Sequence, residues 1–176
     1  MDGGRFAQAA VFTKPAILLT LLASPLFEAR SQQPTGRDVS QLVAKKNRVE
    51  ASPGTVAAWK PAEVGLQLAI HDRLRTGGLS QASVRLTDLS VLQIDELTTI
   101  EILAPRGPAA DKPGLDVKAG QLYFFSRDKP REMELQTPIA TGALRGTEFH
   151  LRVGAGGTTV LTMLDGEVEL RNRLGS

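Results

Sequence analysis

Two stretches near the C-terminal end of the chain decide its fold class. Residues 137–153 read TPIATGALRGTEFHLRV, residues 160–170 read VLTMLDGEVEL, and the glycine-rich run GAGG lies between them at 154–157. Apolar and polar residues alternate on both sides of each glycine, as in strands that bury one face. The pattern predicts a strand, a tight glycine corner, a strand, a turn, a strand, an Asp-Gly turn and a last strand. Such an ending is typical of an all-β domain.

The same period-two alternation extends upstream to about residue 42. It predicts strands at 82–87, 91–94 and 97–103, and a further strand at Thr55–Trp59 that ends at Lys60-Pro61. Turn signals recur about every 8–12 residues, which is the spacing found in sandwiches, barrels and related β folds. We therefore predict one all-β domain of short strands over residues 42–174, either solenoid-like or sandwich-like.

The N-terminal region has the pattern of a secretory signal. A basic leader precedes an apolar segment at 15–27, and small residues suit cleavage after Ser31. That segment is shorter than the roughly 20 residues needed for a membrane-spanning helix. The sequence thus predicts a signal peptide at 1–31, a polar linker at 32–41, no permanent membrane span, and export to the periplasm or the extracellular space.

Composition excludes several classes of protein. The chain has 176 residues, a formal net charge of +2 and no cysteine. Disulfides, cysteine zinc sites and thiol nucleophiles are therefore ruled out. The densest basic run, at 45–48, is followed by Glu50 and is typical of a solvated strand end rather than of a nucleic-acid interface. We expect no nucleic-acid partner.

The residue types that carry catalysis do not form a recognisable pattern. The two histidines, His71 and His150, lie in different predicted strands or turns, and no Gly-x-Ser-x-Gly elbow is present. A metal site would require Asp72 and Glu148 to converge with both histidines, which we do not expect. We predict a non-enzymatic protein with no catalytic, metal or cofactor site, and two surface histidines.

The segment Arg145-Gly146-Thr147-Glu148-Phe149 is the candidate for a structural motif or a partner contact. Gly146 is suited to a corner with positive φ, which the Thr147 hydroxyl would close. Arg145 and Glu148 would either form an ion pair or reach a partner.

Trp59 is the second candidate contact. The chain has few aromatic residues, so a stacking platform for sugars would be thin. We expect at least two of Trp59, Tyr123, Phe124 and Phe125 in the core, because residues 122–125 are apolar on both faces. Trp59 follows a turn and precedes Lys60-Pro61, so it is the aromatic residue expected at a surface.

These motifs together resemble the FecR family domain. The matching pieces are DRLRTG at 72–77, ASVRLTDLSVL at 82–92, GQLY at 120–123, the stretch 137–149 with its Arg-Gly-Thr-x-Phe, and LDGEV at 164–168. The chain departs from the family pattern at two positions, because His71 and Leu89 stand where the family commonly has glycine.

The resemblance implies a β-rich, non-enzymatic domain engaged in protein contacts. In this family the domain is the exported part of regulators that control extracytoplasmic-function sigma factors, and it also occurs as a stand-alone secreted module. The 14 or so residues before the apolar segment are too few for the sigma-binding segment of such regulators. We thus expect an exported module that contacts a protein in the cell envelope and relays a signal, with an envelope polysaccharide bound through Trp59 as the alternative.

Overall fold

The structure, a computed structural model, describes residues 39–54, 56, 58–104, 114–127 and 130–172. The predicted signal peptide, most of the predicted linker and most of the proline-rich segment at 104–114 lie outside these residues. The described part consists of twelve strands: β1 (Ser40–Lys46), β2 (Val49–Ser52), β3 (Lys60–Pro61), β4 (Gln67–Leu68), β5 (Arg73–Thr76), β6 (Gln81–Arg85), β7 (Val91–Ile94), β8 (Thr99–Leu103), β9 (Gly114–Phe125), β10 (Arg131–Gln136), β11 (Ala140–Val153) and β12 (Thr159–Asn172). The predicted all-β class is confirmed.

All twelve strands belong to one sheet, and β9 is its centre. The main path runs β3-β2-β5-β8-β9-β7-β6-β1-β4, and β10, β11 and β12 extend it from the other side of β9. The first part of β9 pairs with β8 and, in parallel, with β10. Its last part pairs with β7 and β11. The strand therefore carries two different sets of neighbours along its length.

The sheet curls along one line of stacked corners, which we call the corner line. At each corner the chain passes through a residue with φ in the left-handed region: Asn47 between β1 and β2, Leu79 between β5 and β6, Leu97 between β7 and β8, and Gly120 inside β9. Adjacent corners are hydrogen-bonded, since the Arg48 amide donates to Ser80 Oγ at 3.0 Å. In this stacking of corners the domain is similar to a solenoid.

The corner line divides the sheet into two halves. The β1 half contains β1, β6, β7 and residues 120–125 of β9, and the β2 half contains β2, β5, β8 and residues 114–119 of β9. One core cluster takes buried side chains from both halves, among them Val84, Leu92 and Phe124 from the former and Leu74, Ile100 and Val117 from the latter. The inner faces thus face each other, as in a sandwich.

Some predicted strand boundaries are wrong, and local bonding explains one case. Val56, Ala58 and Trp59 lie outside any strand, and Thr55 and Ala57 lie outside the described residues. The Val56 amide donates to the Pro53 carbonyl at 3.0 Å, and the Ser52 hydroxyl donates to the Val56 carbonyl at 2.9 Å. Because these backbone groups are satisfied within the turn, they do not join the sheet ladder.

The C-terminal stretches form two long strands instead of four short ones. Residues 140–153 make up β11, and the predicted Asp165-Gly166 turn lies inside β12. The two strands pair from Ala140↔Asn172 to Val153↔Thr159, and the predicted glycine turn at 154–157 joins them. β1 begins at Ser40, two residues before the predicted start of the domain.

Candidate functional site

The five candidate residues at 145–149 form a bulge within β11. Residues 141–146 pair with β10, whereas residues 148–153 pair with β9. The register against β12 shifts on both sides of Glu148. The segment therefore bends one strand as it changes partners, and it is not a corner between two strands.

A glycine is required at position 146 because there is no space for a side chain. The φ of Gly146 is not in the left-handed region. Gly146 lies opposite Gly166, and a Cβ on Gly146 would be 2.5 Å from the Asp165 carbonyl oxygen. The residue with positive φ is Gly166, at 126°. Across the same approach the Thr147 hydroxyl donates to the Asp165 carboxylate. The hydroxyl was expected to close a corner, and instead it ties β11 to β12.

The remaining three residues of the segment have different environments. Phe149 is 1% exposed and stacks on Phe124 in the core, with ring centroids 4.8 Å apart. Arg145 is exposed on β11. Glu148 accepts a hydrogen bond from the Tyr123 hydroxyl at 2.5 Å, and no ion pair joins it to Arg145. Phe149 is therefore structural, whereas Arg145 and Glu148 remain accessible.

Beside this segment, β9 and β11 place three rings on the outer side of the sheet. We call this group, Tyr123, Phe125 and His150, the aromatic face. Tyr123 and Phe125 are stacked with centroids 6.4 Å apart, and Tyr123 and His150 are 4.7 Å apart. His150 is exposed, and the other two are partly exposed.

The alternation of β9 produces this face, and the sequence prediction missed it. Leu122 and Phe124 point into the core, so Tyr123 and Phe125 point outward. Of the four aromatic residues considered for the core, only Phe124 is fully buried. The period of two along a strand could have predicted that Tyr123 and Phe125 share the outer face. All four residues at 122–125 are apolar or aromatic, however, so the sequence showed no alternation there.

The hydrogen bond between Tyr123 and Glu148 changes the electrostatics of the aromatic face. It raises the pKa of the Tyr123 phenol above its ordinary value, because the carboxylate stabilises the protonated hydroxyl. Partial burial and the charge of Glu148 act in the same direction.

Trp59 belongs to a separate, charged surface of the β2 half. The guanidinium groups of Arg75 and Arg73 lie 4.3 and 5.4 Å from its ring centroid, which is cation–π geometry. Arg75 also pairs with Glu50 at 2.8 Å. A sugar stacking on Trp59 would have to compete with the arginines for the ring.

Glu50 connects the arginines of this surface. Two hydrogen bonds lower the pKa of the Glu50 carboxyl. The bond from Arg48 has the larger effect, and the bond from Arg75 adds to it. In sheet order β8 and β9 separate β5, which carries Arg75, from β11. The structure therefore does not bring Trp59 together with the other five candidate residues.

The histidines lie on the surface and on different elements. His71 precedes β5 and its Nδ1 is 3.2 Å from Glu101, whereas His150 is part of the aromatic face. Within the described ranges, no group of three or more His, Asp or Glu side chains is placed to hold a metal ion.

The curled sheet and its exposed faces define the protein as an all-β module. The family described as FecR protein matches residues 72–169, more than half of the chain, and the protein belongs to the FecR family. This is a regulatory and signalling family of the cell envelope, not known for enzymatic activity, whose members are membrane-associated and face the periplasm. Neither the curated proteins nor the solved structures gave a match.

The matched region contains the bulge and the aromatic face, but not Trp59. Nothing in the comparisons supports a polysaccharide partner. No helix in the described part of the chain has the length and hydropathy needed to cross a membrane.

Proposed function

We propose that this protein is a non-enzymatic FecR module that binds a protein partner in the cell envelope and relays a signal through that contact. The observation that carries the proposal is the aromatic face. Three neighbouring rings on the solvent side of a sheet are unusual, because aromatic side chains are mostly buried in cores or at interfaces. Aromatic residues are enriched at the centres of protein–protein contacts.

Charged groups border the aromatic face and would set the orientation of the partner. Arg152 follows His150 on the outer side of β11, and Glu148 lies at the other end, bonded to Tyr123. Arg145 extends this border along the same strand. In this proposal Arg145 and Glu148 contact the partner, Gly146, Thr147 and Phe149 hold the strand in shape, and Trp59 is a separate candidate contact.

Capture of the partner from envelope extract tests the role of the aromatic face. Wild-type protein carrying an affinity tag should retain one stoichiometric protein. The double variant His150→Ser, Phe125→Ser removes two of the three rings and should reduce the retained amount at least tenfold. Ile70→Ser is the matched control, because it removes an exposed apolar side chain that lies outside the aromatic face. Thermal melting verifies that each variant is folded. Equal retention by the wild type and the double variant would contradict the proposed face.

We also propose export with removal of residues 1–31, followed by the linker and the domain predicted above. Membership of a family that faces the periplasm supports it. N-terminal sequencing of protein recovered from the periplasm or the medium should give a chain that begins at Gln32. Recovery only from the cytosol, with Met1 in place, would refute export.

A further inference from the structure

The last strand leaves one edge of the sheet open over a regular segment. Among the described residues β12 pairs with β11 alone. From Thr159 to Met163 its register against β11 is unbroken, and Leu164 is the residue skipped at the first shift. An open strand edge is a template for pairing with another strand, and native proteins ordinarily blunt it with charge or proline. Residues 159–164 contain neither.

The exposed side chains of this segment are apolar. Val160 is 53% exposed and Leu164 is 54% exposed, both on the outer side. Leu161 and Met163 are partly buried against the core on the inner side. A strand added at this edge would cover both pairs.

We propose that the strand added there is β12 of a second copy, antiparallel to the first and related to it by a two-fold axis at Thr162. The segment Val-Leu-Thr-Met-Leu is complementary to itself in this register. Val160 lies opposite Leu164 of the second copy on the outer side, and Leu161 lies opposite Met163 of the second copy on the inner side. Thr162 lies opposite its own counterpart. A two-fold interface requires such a self-complementary patch, and paired apolar and threonine residues stabilise adjacent strands.

Charge disfavours a register centred on the second half of β12. The second half of β12 carries Asp165, Glu167 and Glu169. In the proposed register Asp165 lies opposite Thr159 of the second copy, so the acidic halves point away from each other. A two-fold axis at Glu167 would instead place Asp165 opposite Glu169, and like charges directly across a strand pair are destabilising. The register shift at Leu164 ends the regular segment, and Gly166 follows with φ at 126°.

This inference is independent of the partner proposed above. Pairing would join the outer sides of two copies, and His150, which lies opposite Thr162 across the β11–β12 pair, would then be near the two-fold axis. The two aromatic faces would form one continuous surface.

Cysteine cross-linking tests the register directly, because the chain contains no cysteine. Residues opposite each other in antiparallel strands are about 4.5–5.5 Å apart between Cα atoms, which suits a disulfide. Thr162→Cys should form a disulfide-linked dimer under mild oxidation. Val160→Cys and Leu164→Cys, each alone, should not, since each lies about 13 Å from its own counterpart. A mixture of these two variants should cross-link to each other.

Sedimentation of the unmodified protein tests the association itself. Wild-type protein should show a concentration-dependent dimer. Thr162→Lys should weaken the dimerisation constant at least tenfold, because it places two charges at the axis. Thr141→Lys makes the same change at an exposed threonine of β11 and should have no effect.

Wild-type protein that stays monomeric, or Thr162→Cys that cross-links no better than Leu164→Cys, would overturn the self-pairing. Retention of an envelope partner by such a monomer would leave the proposed function standing.

Discussion

At the residue scale, the protein places bulky side chains at positions that suit glycine. Among the residues that the structure describes, five non-glycine residues have φ in the left-handed region. Three of them are leucines: Leu79, Leu89 and Leu97, exposed by 80%, 62% and 67%. His71 has a φ of 70°. The left-handed conformation costs an L-residue with a Cβ about 1–2 kcal/mol. This explains why glycine is common at positions 71 and 89 in the family pattern.

Replacing Leu89 by glycine should stabilise the fold. The strain at φ 70° is relieved, and the larger backbone entropy of glycine in the unfolded chain offsets part of the gain. We expect a gain of about 0.5–1 kcal/mol in the free energy of unfolding, measured by urea denaturation. The matched control is Val64→Gly at an exposed turn residue whose φ is not left-handed, and it should lose stability. A loss in Leu89→Gly as large as in the control would contradict this account.

At the element scale, β11 and β12 form a long ribbon that depends on one close approach. Gly146 and Gly166 lie opposite each other, and a Cβ on either would come within 2.5 Å of backbone atoms of the other strand. The ribbon also carries the two surfaces proposed for binding, since β11 contributes His150 to the aromatic face and β12 supplies the open edge. A substitution at Gly146 or Gly166 should therefore disturb both the aromatic face and the open edge.

Gly146→Ala should lower the free energy of unfolding by about 1–3 kcal/mol, because a backbone carbonyl cannot move away as a flexible side chain would. Gly156→Ala is the control, since its Cβ would meet open space and its φ is not left-handed. Thermal or urea denaturation of both variants gives the comparison. Equal stability of the two variants would show that the β11–β12 approach is not tight.

The hydrogen bond between Tyr123 on β9 and Glu148 on β11 predicts that the phenol of Tyr123 titrates at a higher pH than a free tyrosine. Tyr123 is the only tyrosine, so the ultraviolet absorbance of the ionised phenol reports on it alone. Its midpoint should lie above the ordinary value of 10.0, because the folded state favours the protonated phenol. Glu148→Gln should lower the midpoint, whereas Glu167→Gln on β12 should leave it unchanged.

The raised pKa of Tyr123 also makes the stability of the fold depend on pH. A pKa raised in the folded state contributes stability that is present below the pKa of the unfolded chain, near 10, and is lost as pH rises through the folded value. The fold should therefore lose stability above pH 10, and Glu148→Gln should reduce that loss. A wild-type midpoint at or below 10 would contradict the hydrogen bond.

At the scale of the whole molecule, the corner line sets the curl of the sheet, and buried hydroxyls hold adjacent corners together. The hydroxyl of the fully buried Thr98 accepts a hydrogen bond from the backbone amide of Gln121 at 2.9 Å. The Thr76 hydroxyl accepts one from the Thr98 amide at 3.0 Å. These bonds replace the sheet ladder where the strands turn away from each other.

Thr98→Val should lower the free energy of unfolding by about 1–3 kcal/mol, because the change keeps the shape but leaves the partly buried backbone amide of Gln121 without its acceptor. Thr99→Val makes the same substitution at the next residue, which lies on the partly exposed outer side of β8, and should have little effect. Denaturant unfolding of the two variants measures the difference, and a Thr98→Val protein as stable as Thr99→Val would show that the hydroxyl does not support the corner.

Local patterns in the sequence were enough to predict the all-β class, strands β6 and β7, and the family. β7 lies at the predicted residues 91–94, and β6 falls within one or two residues of its prediction. These features could be predicted because a period of two is imposed locally, by the opposite directions of successive side chains in a strand.

The role of the glycines and the exposure of particular apolar side chains could not be predicted in this way, because both depend on how the strands pack in three dimensions. Gly146 and Asp165-Gly166 have turn composition, yet both lie inside strands, because the partner strand approaches closely enough to hold the chain extended. Phe125 and Leu164 have core composition, yet they lie on the outer side, since which face is buried depends on the curl of the whole sheet. Contacts between residues far apart in the chain set both outcomes, and no local pattern records them.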